Sequence, residues 1–551
     1  MTPRRVERWT LPPASCALPT LAFTLLLLAV VIAKLWVIAT QEIAGSATRH
    51  DALWYVRSAR DWYWGATYDW TAFVRPPAYP LWLAVVQSVG VRQRIAIELL
   101  QASAFLAVVL ALVRVGFPRP LALAAFALMC FQPASFHLNN YTMADSLYAA
   151  ALPLVVAGMI FMLLNGGALA AVLTGISSAV LWCTRAESGL VVVQYIAFLA
   201  IWVARERVSS PSWRTVLRRI VPAALIAITV LAVLLFVVFK ANQRTFRAFA
   251  KSDMESPSYS AAFDSLVRIK PERVYRFVPV TKESLDIAFA VSPEFARLRP
   301  ELDSGIGTAW RIGSAADTGL PVEIRIDLLL WAIRNAAEVR GIHATPKKAE
   351  RFYRTVAQQI NAACDEGRIE CRSGWASFIG PNLFREAHRL PDSLGKMLAL
   401  FVLRYDAATP KDDADLLPEE IALYDTMTLR RPLDSLPSRP NASHLQHLVR
   451  RHHAVLVMIL AAGGLASVVM LVARHRQVDL RDPVLAALLV IFAAVASRIV
   501  LFTVLDATSW PVAFDRFLYP VMPLATALLL GLIWKALAAL RSTPALKAST
   551  R

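Results

Sequence analysis

Ten apolar runs punctuate the chain, near residues 18–40, 95–114, 119–133, 146–164, 168–184, 188–204, 219–240, 454–473, 484–505 and 517–540. A hydrocarbon core of about 30 Å takes roughly 20 residues of α-helix, and a helix satisfies its own backbone there, so each run predicts a spanning helix. The third, fifth and sixth runs are shorter and predict tilted, paired or re-entrant pieces. Two long polar segments interrupt the pattern, 41–94 and about 241–452. The chain therefore divides into an N-terminal membrane module (1–240) that includes the 41–94 loop, a 241–452 domain, and C-terminal membrane helices (453–551).

The 241–452 segment carries helix signals and no strand alternation. In "SPEFARL" Ser292 is placed to cap a helix that starts at Pro293. "IDLLLWAIRNAAEVRG" has apolar residues at helical spacing and stops at Gly341, and "TPKKAERFYRTVAQQINAAC" opens on Thr345 and Pro346. The fold class predicted is an all-α polytopic membrane protein of about ten spanning helices with a mostly helical extracytoplasmic domain.

Composition agrees, with 57% hydrophobic residues and a mean hydropathy of +0.49. The net charge of +18 could suggest a nucleic-acid partner, but its distribution argues otherwise. Arg4, Arg5 and Arg8, then Arg114 and Arg119, then Arg205, Arg207, Arg214, Arg218 and Arg219, then Arg474, Arg476 and Arg481, and finally Lys535, Arg541, Lys547 and Arg551 all fall on one side of a ten-helix chain. Basic loops are retained in the cytoplasm, so the excess marks topology and no nucleic acid is expected. Both termini are then cytoplasmic, the 41–94 and 241–452 segments are extracytoplasmic, and the location expected is the cytoplasmic (inner) membrane. The first run is long and lacks a clear small-residue cleavage site, so it reads as an uncleaved span. "RRHH" (450–453) sits on the far side of this topology, as headgroup anchors or a lipid-phosphate contact.

Cys16, Cys130 and Cys183 lie in or beside spans and read as small buried hydrophobes. Cys364 and Cys371 bracket "CDEGRIEC" in the polar segment placed outside the cytoplasm, and predict a disulfide.

No H-E-x-x-H, C-x-x-C, Walker loop, dinucleotide fingerprint or G-x-S-x-G elbow occurs. The residues that suggest chemistry lie at span ends. "RHDALWYVRSARDWYWG" (49–65) places Asp51 at the start of an amphipathic, aromatic helix, as its N-cap or as a catalytic carboxylate. Tyr55 follows one turn on, on the same face, and Trp54, Trp62, Tyr63 and Trp64 suit the membrane interface. "FVRPPAYPLWLAVVQSVG" (73–90) then supplies Arg75, a stiff Pro76-Pro77 turn and a second interfacial helix.

This first loop, with "YTMADSLYAAALPL" (141–154), "GISSAVLWCTRAESGLVVV" (175–193) and "FDRFLYPVMPLATALLLG" (514–531), resembles the membrane-embedded GT-C glycosyltransferases, especially the protein-mannosyltransferase and lipid A aminoarabinose-transferase group. The likeness covers the membrane part in the family's order and does not extend to 241–452. It implies a GT-C fold and an enzyme that moves a sugar from a polyprenyl-phosphate donor to an envelope lipid, polysaccharide or protein, with inversion. By position Asp51 corresponds to the family's first-loop acid, a general base for the attacking hydroxyl. The phosphate leaving group needs cations, and Arg75, Arg185 and Arg516 are at hand. Each has a structural alternative, as an interfacial snorkelling arginine or in an ion pair, Arg185 with Glu187 and Arg516 with Asp515. Asp145 matches a second acid near the family's site, or caps its helix. It would orient the acceptor, support Asp51, or join Asp51 in holding a divalent cation, the one cofactor the resemblance leaves open. Two rival readings remain: a transporter or flippase for a lipid-linked glycan, and a non-catalytic assembly or receptor protein.

Overall fold

The computed structural model describes residues 18–45, 49–65, 67–69, 71–210, 212–372, 383–402, 413, 416–473 and 480–541. Arg4, Arg5, Arg8, Arg474, Arg476, Lys547 and Arg551, used above for topology, and Cys16 lie outside these residues.

The membrane part begins with α1 (Thr20–Ile38), followed by the two helices of the first polar loop, α2 (Arg49–Arg60) and α3 (Ala78–Ser88). Then come α4 (Gln93–Arg114), α5 (Arg119–Cys130), the single turn α6 (Ser135–Leu138), α7 (Ala144–Asn165), α8 (Ala168–Trp182), α9 (Gly189–Ser209) and α10 (Trp213–Phe246). The long polar segment folds as α11 (Pro257–Arg268), α12 (Lys282–Val291), α13 (Pro293–Ala296), α14 (Arg299–Asp303), α15 (Gly305–Thr318), α16 (Ile326–Val339), α17 (Pro346–Asp365), α18 (Leu383–Glu386), α19 (Leu390–Ala399) and α20 (Pro418–Thr428). The chain returns with α21 (Pro440–Ala473), α22 (Pro483–Thr508), the turn α23 (Asp515–Leu518) and α24 (Met522–Arg541). Among the described residues there is no strand, only isolated bridges such as Ile269 with Cys371.

Among the described residues, nine helical stretches are long and apolar enough to cross a membrane, and α8, at 15 residues, is the short tenth. The protein is thus an all-α, multi-pass membrane protein, and all ten apolar runs are helical. Two expectations about length change. The sixth run becomes a full 21-residue helix, and the third becomes α5 plus the α6 turn. Helices α10 and α21 reach 34 residues each. Arg214, Arg218 and Arg219, expected in a loop, lie in the first turns of α10, and Arg450–His453 lie inside α21.

The bundle core is built from Phe105, Phe126, Tyr148, Trp202, Tyr519 and their neighbours on α4, α5, α7, α9, α22 and α24. Gly175 of α8 lets α10 approach so closely that a Cβ there would lie 2.6 Å from the Ala227 carbonyl oxygen. A second core fills the polar segment, where α11 packs on α17 around Tyr259, Phe263, Phe295, Ile333 and Phe352. Ser292 and Thr345 cap their helices as expected, accepting from the Phe295 and Lys348 amides, and Cys364 is disulfide-bonded to Cys371. The segment is not confined to this core. Met397 of α19 joins the bundle core, and Leu416 and Tyr424, at and in α20, close over α2 and α3.

Loop hydrogen bonds show which connections share an end of the bundle. The Ala44 amide donates to Asn140, the Ala78 amide to Cys183, Lys251 Nζ to the Arg185 carbonyl at 2.8 Å, and Arg276 to the Asp506 carbonyl at 2.8 Å. At the opposite end Arg205 donates to Leu163, Arg481 to Val208, and Arg219 pairs with Glu206. The polar segments therefore gather at one end and the described basic loops at the other.

Candidate functional site

Asp51 is neither a cap nor isolated. Helix α2 already begins at Arg49, so Asp51 lies in its first turn, and its carboxylate accepts from Arg75 at 2.5 Å. Arg75 is aimed by what surrounds it. Its carbonyl accepts the Tyr63 hydroxyl at 2.7 Å, and Pro76 and Pro77 lead directly into α3, whose first amide is tied to Cys183. Its guanidinium lies over the rings of Trp54 and Trp331, 5.2 and 4.8 Å from their centroids. Trp331 belongs to α16, so the polar segment contributes a wall to this pair. Tyr55 is buried, its ring edge-on to Tyr79.

A second cluster stands at the neighbouring span ends. Arg185, in the turn between α8 and α9, ion-pairs with both Asp145 at the start of α7 and Glu187, the latter at 2.7 Å. Asp145 makes no side-chain capping bond; Met143 occupies the cap position, so the expectation of a cap is corrected. Buried Lys251 Nζ holds the same turn from above, on the Arg185 carbonyl and, at 2.5 Å, the Ser188 hydroxyl, and it pairs with Glu255 at 3.2 Å.

Phe517 joins the clusters. The Arg185 and Arg516 guanidinium groups lie 5.2 and 4.9 Å from its ring centroid. The expected Arg516–Asp515 ion pair is not formed: Asp515 instead accepts from the Arg516 backbone amide at 2.7 Å. Among the described residues the Arg516 guanidinium has no hydrogen bond or ion pair, because the tight turn of α23 takes up the Asp515 carboxylate.

Charge couples the groups. Burial works to raise the Asp51 pKa, but the charge and hydrogen bond of Arg75, then the charges of Arg516 and Arg185, outweigh it and leave the carboxyl below its ordinary value. For Glu187, burial is likewise opposed by Arg185 and, further off, Arg498, and the pKa falls to about 2. Burial, opposed by the charge of Arg75 and reinforced by Asp51, pushes the Tyr55 phenol up to about 12.

Sequence reasoning missed Trp331, Phe517 and Arg498. Arg498 is fully buried in α22, donates from Nε to the Phe517 carbonyl at 2.5 Å, and lies over Tyr148 at 4.5 Å. It thereby fixes the turn that carries Arg516. An arginine inside an apolar run was the available signal. The same signal marks Lys34 and Glu98, and Arg94 stands at the edge of the Glu98 run. Glu98 pairs with Arg94 at 2.5 Å and Lys34 at 3.6 Å, while Gln41, Asn139 and Asn140 complete a buried network that ties α1, α4 and α6 together.

A cleft of about 410 Å³ opens at the end of α2, lined by Ser58, Asp61, Tyr63, Asp69, Thr71 and Glu419. Tyr63 of its lining and the nearby Trp62 and Phe73 hold left-handed backbone (φ 67°, 51° and 63°). Bulky residues hold that conformation at a cost of about 1 kcal/mol or more each, which the surrounding packing must offset.

The carboxylates do not fit a metal as they stand. Asp51 and Asp145 are each engaged by an arginine, and the described residues contain no group of three or more His, Cys, Asp or Glu side chains able to hold an ion.

No family model matches the chain, and no curated protein sequence matches it. Among solved structures it is similar to ArnT from Cupriavidus metallidurans bound to undecaprenyl phosphate, at 14% identity and a TM-score of 0.33, over 89% of this chain and 78% of that one. The apo form of the same protein gives 14% identity and a TM-score of 0.30, over 88% and 77%.

Proposed function

We propose that the protein is a GT-C type glycosyltransferase that moves a sugar from a polyprenyl-phosphate donor to a hydroxyl-bearing acceptor of the cell envelope at the extracytoplasmic membrane face. One observation carries the reading: two acid–arginine clusters and Arg516, whose guanidinium makes no hydrogen bond or ion pair among the described residues, converge at the span ends within electrostatic reach of one another.

The chemistry follows from that arrangement. An acceptor hydroxyl attacks the anomeric carbon, its proton passes to the Asp51 carboxylate, and the sugar–phosphate bond breaks with its electron pair leaving on the lipid phosphate. Displacement in one step inverts the anomeric centre. Arg516 supplies the cation for the leaving phosphate, and Arg75 turns part of its fork toward it. As phosphate draws on Arg75, Asp51 loses its counter-charge and becomes the stronger base. Asp145 and Glu187 hold Arg185 at the edge of Phe517.

The test is mass spectrometry of envelope glycans from cells with and without the protein, followed by transfer assays with Asp51→Asn. A missing sugar that wild type restores and Asp51→Asn does not is the expected result. Unchanged glycans, together with movement of a lipid-linked glycan across reconstituted vesicles, would replace this reading with transport.

A further inference from the structure

At the end of α10 a separate cleft of about 550 Å³ opens between α10, α11 and α17. Its lining includes Gln243, Arg247, Phe249, Ser258, Arg354 and Asn361. None of these residues belongs to the acid–arginine clusters described above.

Two features of the cleft point to one class of ligand. Phe249, in its lining, packs on α10 at 6.1 Å from Phe236 and 5.3 Å from Phe239, and beyond that contact Phe236 and Val237 remain 54% and 57% exposed. In a spanning helix such a face meets acyl chains. Its rim is cationic. Lys240 lies along the Phe236 and Phe249 rings with Nζ reaching Gln243 Oε1 at 2.8 Å, the posture of a side chain that carries its charge from the apolar layer to the headgroup level. Arg244 and Arg247 are exposed and, among the described residues, make no hydrogen bond or ion pair from their guanidinium groups. Arg354 faces the cleft from α17, where Glu350, the carboxylate in the lining, pairs with it.

Arg247 also ends α10 in the left-handed conformation (φ 61°), the position where helices favour glycine. The sequence thus places a cation at the cleft in a backbone conformation that any L side chain adopts at a cost.

We infer that this cleft binds the phosphate-bearing headgroup of an anionic membrane lipid, with the acyl chains lying along the Phe236, Val237 and Phe249 face of α10. Arg247 and Arg354 hold the phosphate oxygens, and Gln243, Ser258 and Asn361 take the headgroup hydroxyls. The site is independent of the glycosyl-transfer reading and stands or falls without it.

The experiment is native mass spectrometry of the full chain released from detergent with added phosphatidylglycerol, phosphatidylcholine or inorganic phosphate, for wild type, Arg247→Gly and Arg354→Gln. Arg247→Gly relieves the left-handed strain, so it folds at least as well as wild type and isolates the loss of charge. Wild type is expected to retain phosphatidylglycerol in preference to phosphatidylcholine, and Arg247→Gly to weaken that retention roughly tenfold or more, the loss of one charge-assisted contact. Equal retention of both lipids, or undiminished phosphatidylglycerol binding by both variants, would overturn the site. Displacement of the lipid by inorganic phosphate at equal concentration would assign the cleft to a free anion and overturn the lipid assignment.

Discussion

Asp51→Asn separates a catalytic carboxylate from a structural one because the two roles differ in magnitude. The side chains of Asp51 and Arg75 are 31% and 25% exposed, so the ion pair is partly screened by solvent. Pairs of this kind contribute about 1 kcal/mol or less to folding. Asparagine keeps an oxygen for the Arg75 donor, and Arg75 keeps the Trp54 and Trp331 rings, so little of even that is lost. A general base, in contrast, accounts for roughly 10²–10⁴ in rate, or about 2.7–5.4 kcal/mol of barrier. The variant should therefore show a thermal midpoint close to wild type in detergent and a transfer rate at least about 100-fold lower in vesicles. Asp286→Asn, which breaks the exposed pair of Asp286 with Lys282, controls for losing one carboxylate elsewhere and should leave transfer unchanged. Transfer by Asp51→Asn within about threefold of wild type would refute the general-base role, since a lost base cannot cost so little.

Other consequences are open to measurement. Arg185→Gln strands the Asp145 and Glu187 carboxylates, 3% and 11% exposed, beside each other; a loss of about 3–5 kcal/mol is expected, partly restored by adding Asp145→Asn, and a small shift in the unfolding midpoint of the single variant would contradict the triad. Glu187 has its pKa depressed to about 2, so the stability it contributes is complete above an ordinary carboxylate pKa of about 4.5 and lost as pH falls through about 2; Glu187→Gln should flatten that part of a thermal-stability profile. His343, buried and hydrogen-bonded through Nε2 to the Tyr353 hydroxyl at 2.8 Å, has its pKa lowered to about 3, chiefly by burial and then by Arg334. The unfolded chain takes up that proton first, so the cost to folding begins below about 6.5 and grows until about 3. His343→Gln should remove that slope between pH 6.5 and 4.5, and an unchanged slope would show that the imidazole is not buried as a neutral ring.

The membrane helices were legible because the bilayer imposes a composition that a single sequence cannot hide: every apolar run became a helix. Their ends were less legible. Apolar composition stops where hydrocarbon stops, but the helix does not, so α10 and α21 carry Arg214, Arg218 and Arg450–His453 in regular turns outside the apolar stretch. The site divides the same way. The Arg185–Glu187 pair lies two residues apart in sequence and was nameable, whereas the Asp51–Arg75 and Arg185–Asp145 pairs span 24 and 40 residues and needed the fold. Asp51 and Asp145 read equally well as caps, since the same residue types serve caps and catalysis. Their arginine partners, and helices that begin before Asp51 and at Ala144, remove the capping role.

Trp331 shows why the polar segment resisted interpretation. In "IDLLLWAIRNAAEVRG" it is one apolar residue in a helical stripe, and the stripe does build a core through Leu329, Leu330 and Ile333. Helical periodicity reports that a face is buried but not what it is buried against. Trp331 turns out to stack on Trp54 of α2, with ring centroids 5.0 Å apart, beneath the Arg75 guanidinium. Arg334, one turn further along α16, binds Asp253 at 2.5 Å, whose amide in turn donates to Phe73 at 2.9 Å, two residues before Arg75. Helix α16 thus grips both the side chain of Arg75 and the backbone beside it. Arg75 can therefore move toward a phosphate only as far as this grip allows, and loosening it by Trp331→Ala should weaken donor binding before it unfolds the protein, visible as a raised KM at nearly unchanged kcat. A fall in kcat alone would place Trp331 in the chemistry of the step and not in the hold on Arg75.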